Sequence, residues 1–546
     1  MAGTTPSPPP CMDSLSYRVP RSFGNTKRMK LAASRYPLRV ATACALFGAI
    51  AVAQASVTQV SQITASHTVQ QLAAAIDAQI AAPRFASSRW GIDVISLDTG
   101  RTLYAHDAGK LLQTASTAKL YTAALVLDTL GTDYRIPTQL LVTQPIVQGR
   151  LEGSLILRGM GDPTLDTPGT NTDWADQLAA QLAASGVHEV QGDLIADDSY
   201  FSGPSAGSGW EARDLQSWFA PPASALSVQE NTVNLMVEPS RVPGERARLK
   251  LDPADAFPRV INTLTTSAGN TRSDINLYRA PGDMTLYAFG HIAAQSQAQT
   301  YKLAMADPAQ FAGTLLQEAL ARHGIRLKGA LRVLHWPQQA DIGLDRAVVL
   351  AQVLSPPVMD VLTRGLKRSQ NLYLQNLLQI AGVKARASAG QVADPASGFL
   401  TTEAWGIRAL DELLGRIGIP PEDSQIEDGA GLSRQDLATP AAMTHLLVYL
   451  ARQPYGAQLR DTLPTAGVDG TLQWRMRNTA ASNNVHAKTG SMNDVRCVAG
   501  YVTTASGERL AFAIMLNNVV REGDEPSPSR TLDAIMEQLA AFQGRG

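Results

Sequence analysis

Ser116-Thr117-Ala118-Lys119 is the stretch on which the reading of this chain turns, and it is the only Ser-x-x-Lys in the sequence. Residues three apart on a helix share a face, so the Lys119 amine can lie beside the Ser116 hydroxyl. That spacing can make a serine reactive without any histidine, because a neutral lysine can take its proton. Downstream, Leu120, Ala123, Ala124 and Leu127 continue an apolar helical pattern that stops near Leu130-Gly131. Upstream, residues 90–97 and 101–106 read as two strands joined by the turn Asp98-Thr99-Gly100, and Val69, Leu72, Ala73, Ile76 and Ile80 recur at helical spacing.

Taken alone the tetrapeptide also fits a helix with a solvated lysine. Two further motifs change that balance: Ser369-Gln370-Asn371, which opens the apolar segment 372–380, and Lys488-Thr489-Gly490, which stands before a strand pair near residues 498–503 and 510–517. Ser-x-x-Lys, Ser-x-Asn and Lys-Thr-Gly in this order are the motifs of penicillin-binding proteins and class A β-lactamases. Each residue type has a physical use. Serine is a weak nucleophile until a base removes its proton. Lys119 serves as that base only when partly neutral, and burial together with the charge of Lys488 favours the neutral form. Ser369 can pass the proton to a leaving amine. Asn371 can bind a substrate amide or hold Lys119. Lys488 and Thr489 suit a terminal carboxylate, and backbone N–H groups at Ser116 and Ser491 suit an oxyanion.

The 546 residues carry 47 basic and 48 acidic side chains, a balance that speaks against nucleic acid as partner. Basic residues gather near the start instead. Arg21, Lys27, Arg28, Lys30, Arg35 and Arg39 precede an apolar run at 40–52 and then Ala53-Gln54-Ala55, the order of a secretory signal with cleavage after Ala55. The run is short for a membrane span, which needs about 20 residues; an uncleaved anchor is the alternative, and association with the membrane is at most peripheral. Cys11 and Cys44 fall in that segment, so Cys497 alone would remain, with no disulfide framework. The eight histidines are scattered without His-Glu-x-x-His, and neither a metal nor an organic cofactor is expected.

With these motifs in place the chain resembles the class C low-molecular-mass penicillin-binding proteins, D-alanyl-D-alanine carboxypeptidase/endopeptidases of peptidase family S13, over about residues 65–540. Longer phrases carry the likeness: Gly159-Met160-Gly161-Asp162-Pro163-Thr164-Leu165, the stretches 192–201, 220–227 and 463–472, and Asp428-Gly429-Ala430-Gly431-Leu432-Ser433-Arg434. Ser369 lies 253 positions beyond Ser116, and Lys488 only 119 beyond Ser369. The long first gap fits the inserted domains of class C enzymes and suits β-lactamases poorly. Two departures stand out, Gln370 where many relatives have aspartate or asparagine and Ala430 where serine is common.

The resemblance implies an α+β fold: a split catalytic domain with a helical part and a five-stranded antiparallel sheet, interrupted by β-rich insertions. The expected division is a signal peptide at 1–55, catalytic parts at 56–139 and 350–546, an inserted domain at 140–230 and 306–349, and a nested one at 231–305. It implies a periplasmic serine hydrolase acting on peptidoglycan stem peptides, with Ser116, Lys119, Ser369, Asn371 and Lys488 as the catalytic set, Thr489, Gly490 and Ser491 as substrate contacts, and β-lactams as covalent inhibitors. It also implies an acidic residue that reads the amino group of diaminopimelate. Asp214 is the nearest match and Glu211 its rival, with Met492 lining the same side. A related esterase or β-lactamase using the same Ser/Lys pair, or a non-catalytic wall-binding protein, would share many of these features; oligomeric state is left open.

Overall fold

The computed structural model describes residues 66–546, apart from 168, 171, 255, 270, 339–341, 391–397 and 521–526. The signal expected at 1–55, with Cys11 and Cys44, lies outside the described residues. The chain enters through α1 (Val69–Ile80), whose start is fixed by a capping box: the Thr68 hydroxyl accepts from the Gln71 N–H while the Gln71 side chain accepts from the Thr68 N–H. The hairpin β1 (Arg89–Ser96) and β2 (Thr102–His106) follows. Its remaining partners come from the far end of the chain: β3 (His486–Met492), β4 (Val495–Thr503) and β5 (Arg509–Asn517). The five run in the order β2-β1-β5-β4-β3, all antiparallel.

The apolar run of β5 shows why both faces of this sheet are covered. Side chains alternate across a strand, and Leu510, Phe512, Ile514 and Leu516 join one core with α1 and the last helix, α4 (Ser529–Ala541). Ala511, Ala513 and Met515 join the other core, against the helical half. The large side chains fill one layer, and the alanines let the helix Pro440–Ala451 approach the opposite face. Burying those four large side chains contributes about 6 kcal/mol or more, and a one-residue slip would drive them into the helix Pro440–Ala451, where Ala511, Ala513 and Met515 now leave little room.

The helical half is centred on α2 (Lys119–Leu130) and α3 (Asn371–Ser388). Residues 119–127 of α2 and 372–382 of α3 are buried on every side, as a helix in the middle of a core must be. Lys119 is among the largest fully buried side chains.

Between these halves the chain makes its own cores. Strand Pro137–Val142 leaves the helical half, strand Val348–Leu354 returns to it, and the two pair antiparallel in a five-stranded mixed sheet with Leu155–Gly159, Leu194–Asp197 and Leu331–Leu334. Helices Trp174–Ala184 and Pro308–Arg322 pack into the same core. The expectation of a β-rich middle therefore misses two helices, whose apolar spacing (Trp174, Leu178, Leu182) lies among alanines that dilute the pattern. Residues from Val233 to Leu303 enclose a smaller core of strands and their loops, with no helix among the described residues of that stretch. No helix among the described residues is long and apolar enough to cross a membrane.

Candidate active site

Ser116 does not lie in an α-helix. It sits in a single 3-10 turn, Ala115–Ala118, and α2 begins at Lys119. In a 3-10 turn residues i and i+3 eclipse one another, and Lys119 Nζ accordingly lies 2.9 Å from Ser116 Oγ. The turn opens on Ala115 at φ 44°, a left-handed conformation that costs a non-glycine residue about 1–3 kcal/mol. Packing against β3 holds it there. A Cβ on Gly490 would lie 2.8 Å from the Thr114 carbonyl oxygen and 3.1 Å from the Ser116 nitrogen, so only glycine lets the strand approach Ser116 this closely.

Lys119 Nζ is surrounded by acceptors. Besides Ser116 it donates to Asn371 Oδ1 at 2.6 Å and to the Ala430 carbonyl. Asn371 is the first residue of α3, and its amide Nδ2 donates to the Phe219 carbonyl at 2.6 Å. Of the two uses open to Asn371, holding Lys119 is the one this geometry displays. The missing hydroxyl at Ala430 leaves the backbone carbonyl to do the holding. Burial pushes the Lys119 amine down to about 7, although the carboxylates of Asp428 and Asp436 pull the other way.

Ser369 sits in a left-handed conformation, φ 56°, just before α3. It is no helix cap: Gln370 is the N-cap residue and makes no side-chain cap bond. Ser369 Oγ accepts from Lys488 Nζ at 2.8 Å, and Lys488 also donates to the Thr489 carbonyl at 2.6 Å. Lys488 is fully buried; burial, then the charge of Lys119, pushes its amine well below the ordinary lysine value. Thr489 shares a hydroxyl hydrogen bond of 2.7 Å with Thr471. Ser491 is exposed, and Met492 is half-buried against the helical-side core. Two sets of direct contacts thus form, Ser116–Lys119–Asn371 and Ser369–Lys488, joined by the backbone of Ser369-Gln370-Asn371, although the residues come from three distant parts of the chain.

The loop from Asp428 supplies what the motifs do not mention. The Asp428 carboxylate accepts from the N–H groups of Ala430, Gly431, Leu432 and Ser433 and from Trp210 Nε1. This curls the loop so that the Ala430 carbonyl meets Lys119. The phrase is visible in the sequence, but the carbonyl's use is not, since every residue has one.

Glu211 and Asp214 differ in availability. Glu211 is held by Arg434 at 2.6 Å and Arg213 at 2.5 Å; burial works to raise it, but these arginines outweigh that and pull it down. Among the described residues the Asp214 carboxylate has no hydrogen bond or ion pair, and burial, then Glu211, push it up. Arg434 also reaches the Asn493 carbonyl at 3.5 Å, tying this loop to the end of β3 beside Met492. No group of three or more His, Cys, Asp or Glu among the described residues could hold a metal ion. Cys497 is buried, and burial pushes its thiol up to about 12.

The D-Ala-D-Ala carboxypeptidase 3 (S13) family matches residues 72–541. The chain belongs to this family. It is a hydrolase of the serine-type D-Ala-D-Ala carboxypeptidase class. Its curated relatives include the D-alanyl-D-alanine carboxypeptidase of Actinomadura sp. (strain R39), 33% identical over 86% of this chain and 84% of that one. Another is the D-alanyl-D-alanine carboxypeptidase DacB of Haemophilus influenzae, 30% identical over 79% and 85%. The crystal structure of penicillin binding protein 4 from Haemophilus influenzae superposes with a TM-score of 0.72 at 26% identity, covering 86% of this chain and 98% of that one. The S13 assignment and the α+β fold with its five-stranded antiparallel sheet therefore stand.

Proposed function

We propose that this chain removes the terminal D-Ala from peptidoglycan stem peptides, and opens D-Ala-to-diaminopimelate cross-links, through an acyl-enzyme on Ser116. The observation that carries the reading is the buried Lys119 amine, 2.9 Å from Ser116 Oγ and pushed down to about 7. Lys119 takes the hydroxyl proton as Ser116 Oγ bonds to the penultimate D-Ala carbonyl carbon. The tetrahedral oxyanion faces the Ser116 and Ser491 N–H groups. The C–N bond then breaks, and the departing amine takes a proton through Ser369, whose hydroxyl Lys488 holds. Water attacks the ester in reverse order and frees Ser116. Lys488 and Thr489 receive the substrate carboxylate; that anion counters the burial and the Lys119 charge that depress the Lys488 amine.

Two features support the endopeptidase arm. Asp214 offers an unpaired carboxylate suited to the amine of diaminopimelate, and Arg434 keeps Glu211 from competing. β-Lactams acylate the same serine because a strained amide and carboxylate imitate the D-Ala-D-Ala end. Export rests on the order of charges and apolar residues before Ala55. The division into catalytic parts at 56–139 and 350–546, with insertions between, is supported by the separate apolar cores of the middle. The test is labelling with a fluorescent penicillin alongside D-alanine release from a pentapeptide ending in D-Ala-D-Ala. Ser116→Ala should abolish both; a labelled Ser116→Ala protein would sink the assignment. Rapid turnover of the β-lactam instead of a lasting adduct would favour a β-lactamase.

A further inference from the structure

Glu230 lies in a turn that the catalytic motifs do not touch in sequence, yet it reaches one of them. Gln229, Glu230 and Asn231 adopt φ of 53°, 55° and 52° in succession. Three consecutive left-handed residues without glycine are costly, roughly 1–2 kcal/mol each. The turn is held from beneath by Asn231, fully buried, whose Nδ2 donates to the Pro222 carbonyl and Ser227 Oγ and whose Oδ1 accepts from the Val228 N–H. Strain of this kind persists where surrounding contacts over-determine it, and such places cluster at functional sites.

What the turn presents is a buried carboxylate. Glu230 Oε2 accepts from Gln370 Nε2 at 2.9 Å and from Lys302 Nζ at 3.1 Å, and Oε1 faces Arg364 at 3.4 Å. Gln370 is the middle residue of the Ser-x-Asn motif. Its neighbours aim at the two lysines: Ser369 Oγ at Lys488, Asn371 Oδ1 at Lys119. Ser369 is itself left-handed, so this three-residue loop needs an outside restraint. Lys302, on strand Gln299–Ala304, connects the same carboxylate to the small helix-free core and lies 6.0 Å from the Trp218 ring. Asn371, for its part, is held by the carbonyl of Phe219, next to Trp218.

We propose that Glu230 is a positioning residue for acylation: through Gln370 it fixes the Ser369-Gln370-Asn371 loop so that Asn371 meets Lys119 and Ser369 meets Lys488. This rests on the serine mechanism above. The hydrogen bonds of Glu230 go to Gln370, Lys302 and Arg364 and not to Ser116, Lys119, Ser369, Asn371 or Lys488, so it acts through Gln370. The departure at position 370 gains a purpose, because the longer glutamine arm spans to Glu230, whereas an aspartate there would set like charge against it.

The test uses the full chain and stopped-flow acylation by a penicillin, which separates non-covalent binding from the acylation step. Gln370→Met keeps the length of the arm and removes its donor, while Glu230 retains Lys302 and Arg364. Acylation should slow about tenfold or more with binding unchanged, since the bond lost is one to a charged acceptor, and the pH midpoint of acylation should fall as Lys119 loses the Asn371 acceptor that favours its charged form. Glu230→Gln should slow acylation less, and Gln370→Met/Glu230→Gln no more than Gln370→Met alone. Acylation by Gln370→Met within twofold of wild type, independent effects in the double variant, or a fall confined to binding would each overturn the proposal. Ser116→Ala, run in parallel, reports on the mechanism separately: its labelling would remove the serine nucleophile whatever Gln370→Met does.

Discussion

Acylation should switch on as pH rises through about 7, and the structure sets the size of the effect. The Lys119 amine has an ordinary value of 10.5, and burial brings it to about 7. A shift of that size corresponds to about 5 kcal/mol at about 1.36 kcal/mol per unit. The neutral fraction at pH 7 is then about one half, against roughly one in three thousand for a solvated lysine. The sign follows from the chemistry. With the neutral amine as the proposed base, activity should be present above the shifted value and lost as pH falls through it. The assay is the acylation rate constant for one β-lactam measured from about pH 5.5 to 9.5, with denatured samples quantified by label. A plateau reached by about pH 8.5 and a midpoint near 7 is expected. A rate that keeps climbing tenfold per unit to pH 9.5 would refute the reasoning, because the base would then titrate like free lysine. Asn371→Asp provides the internal control. A carboxylate in place of the amide 2.6 Å from Nζ favours the charged amine and should raise the midpoint by about 1–3 units.

Other outcomes follow from the same geometry. Gly490→Ala should slow acylation severely and cost about 1–3 kcal/mol of stability, because its Cβ would press on the Thr114 carbonyl and the Ser116 nitrogen; thermal melting and penicillin labelling read both. Asp428→Asn should destabilise the chain by about 3 kcal/mol or more in denaturant melts, since an amide presents a donor where the carboxylate accepts five N–H groups. Asp214→Asn should slow cleavage of diaminopimelate cross-links at least tenfold while leaving β-lactam acylation near wild type, as mass spectrometry of digested muropeptides would show. Equal loss in both assays would count against an amine-reading role.

Much of the site can be read from the chain because its chemistry resides in short motifs. Ser116 and Lys119 are three apart, and Ser369, Asn371 and Lys488 occur in recognisable contexts. What holds them is written less plainly. The carbonyls of Ala430 and Phe219 grip Lys119 and Asn371, and a carbonyl carries no side-chain signature. Glu230 and Gln370 meet across 140 positions, a distance that no local periodicity reports. Four strands of the sheet are legible, β1, β2, β4 and β5, because they alternate or run apolar; β3 is not, because Lys488, Thr489 and Gly490 break the apolar pattern of the strand that carries them. The helix Trp174–Ala184 is not legible either, because its alanines, good helix formers though they are, spread small apolar side chains all round and blur the stripe of Trp174, Leu178 and Leu182. The serine's own backbone also differs from the simple reading: a 3-10 turn, not an α-helix, brings Ser116 over Lys119.

The pairing of strands Pro137–Val142 and Val348–Leu354 has a further consequence. Val142 stands opposite Val348, so a two-residue turn could join them as an ordinary hairpin and bypass some two hundred residues without disturbing the thread of the catalytic halves. Topologically the middle of the chain is detachable. Chemically it is not: the Phe219 carbonyl that steadies Asn371 and the Glu230 carboxylate that meets Gln370 both belong to the bypassed stretch. A shortened enzyme would keep its nucleophile, its base and its sheet, yet lose two of the grips on its Ser-x-Asn loop. Minimal versions of this hydrolase would therefore need replacement anchors for that loop, and for the Asp428 loop that Trp210 grips.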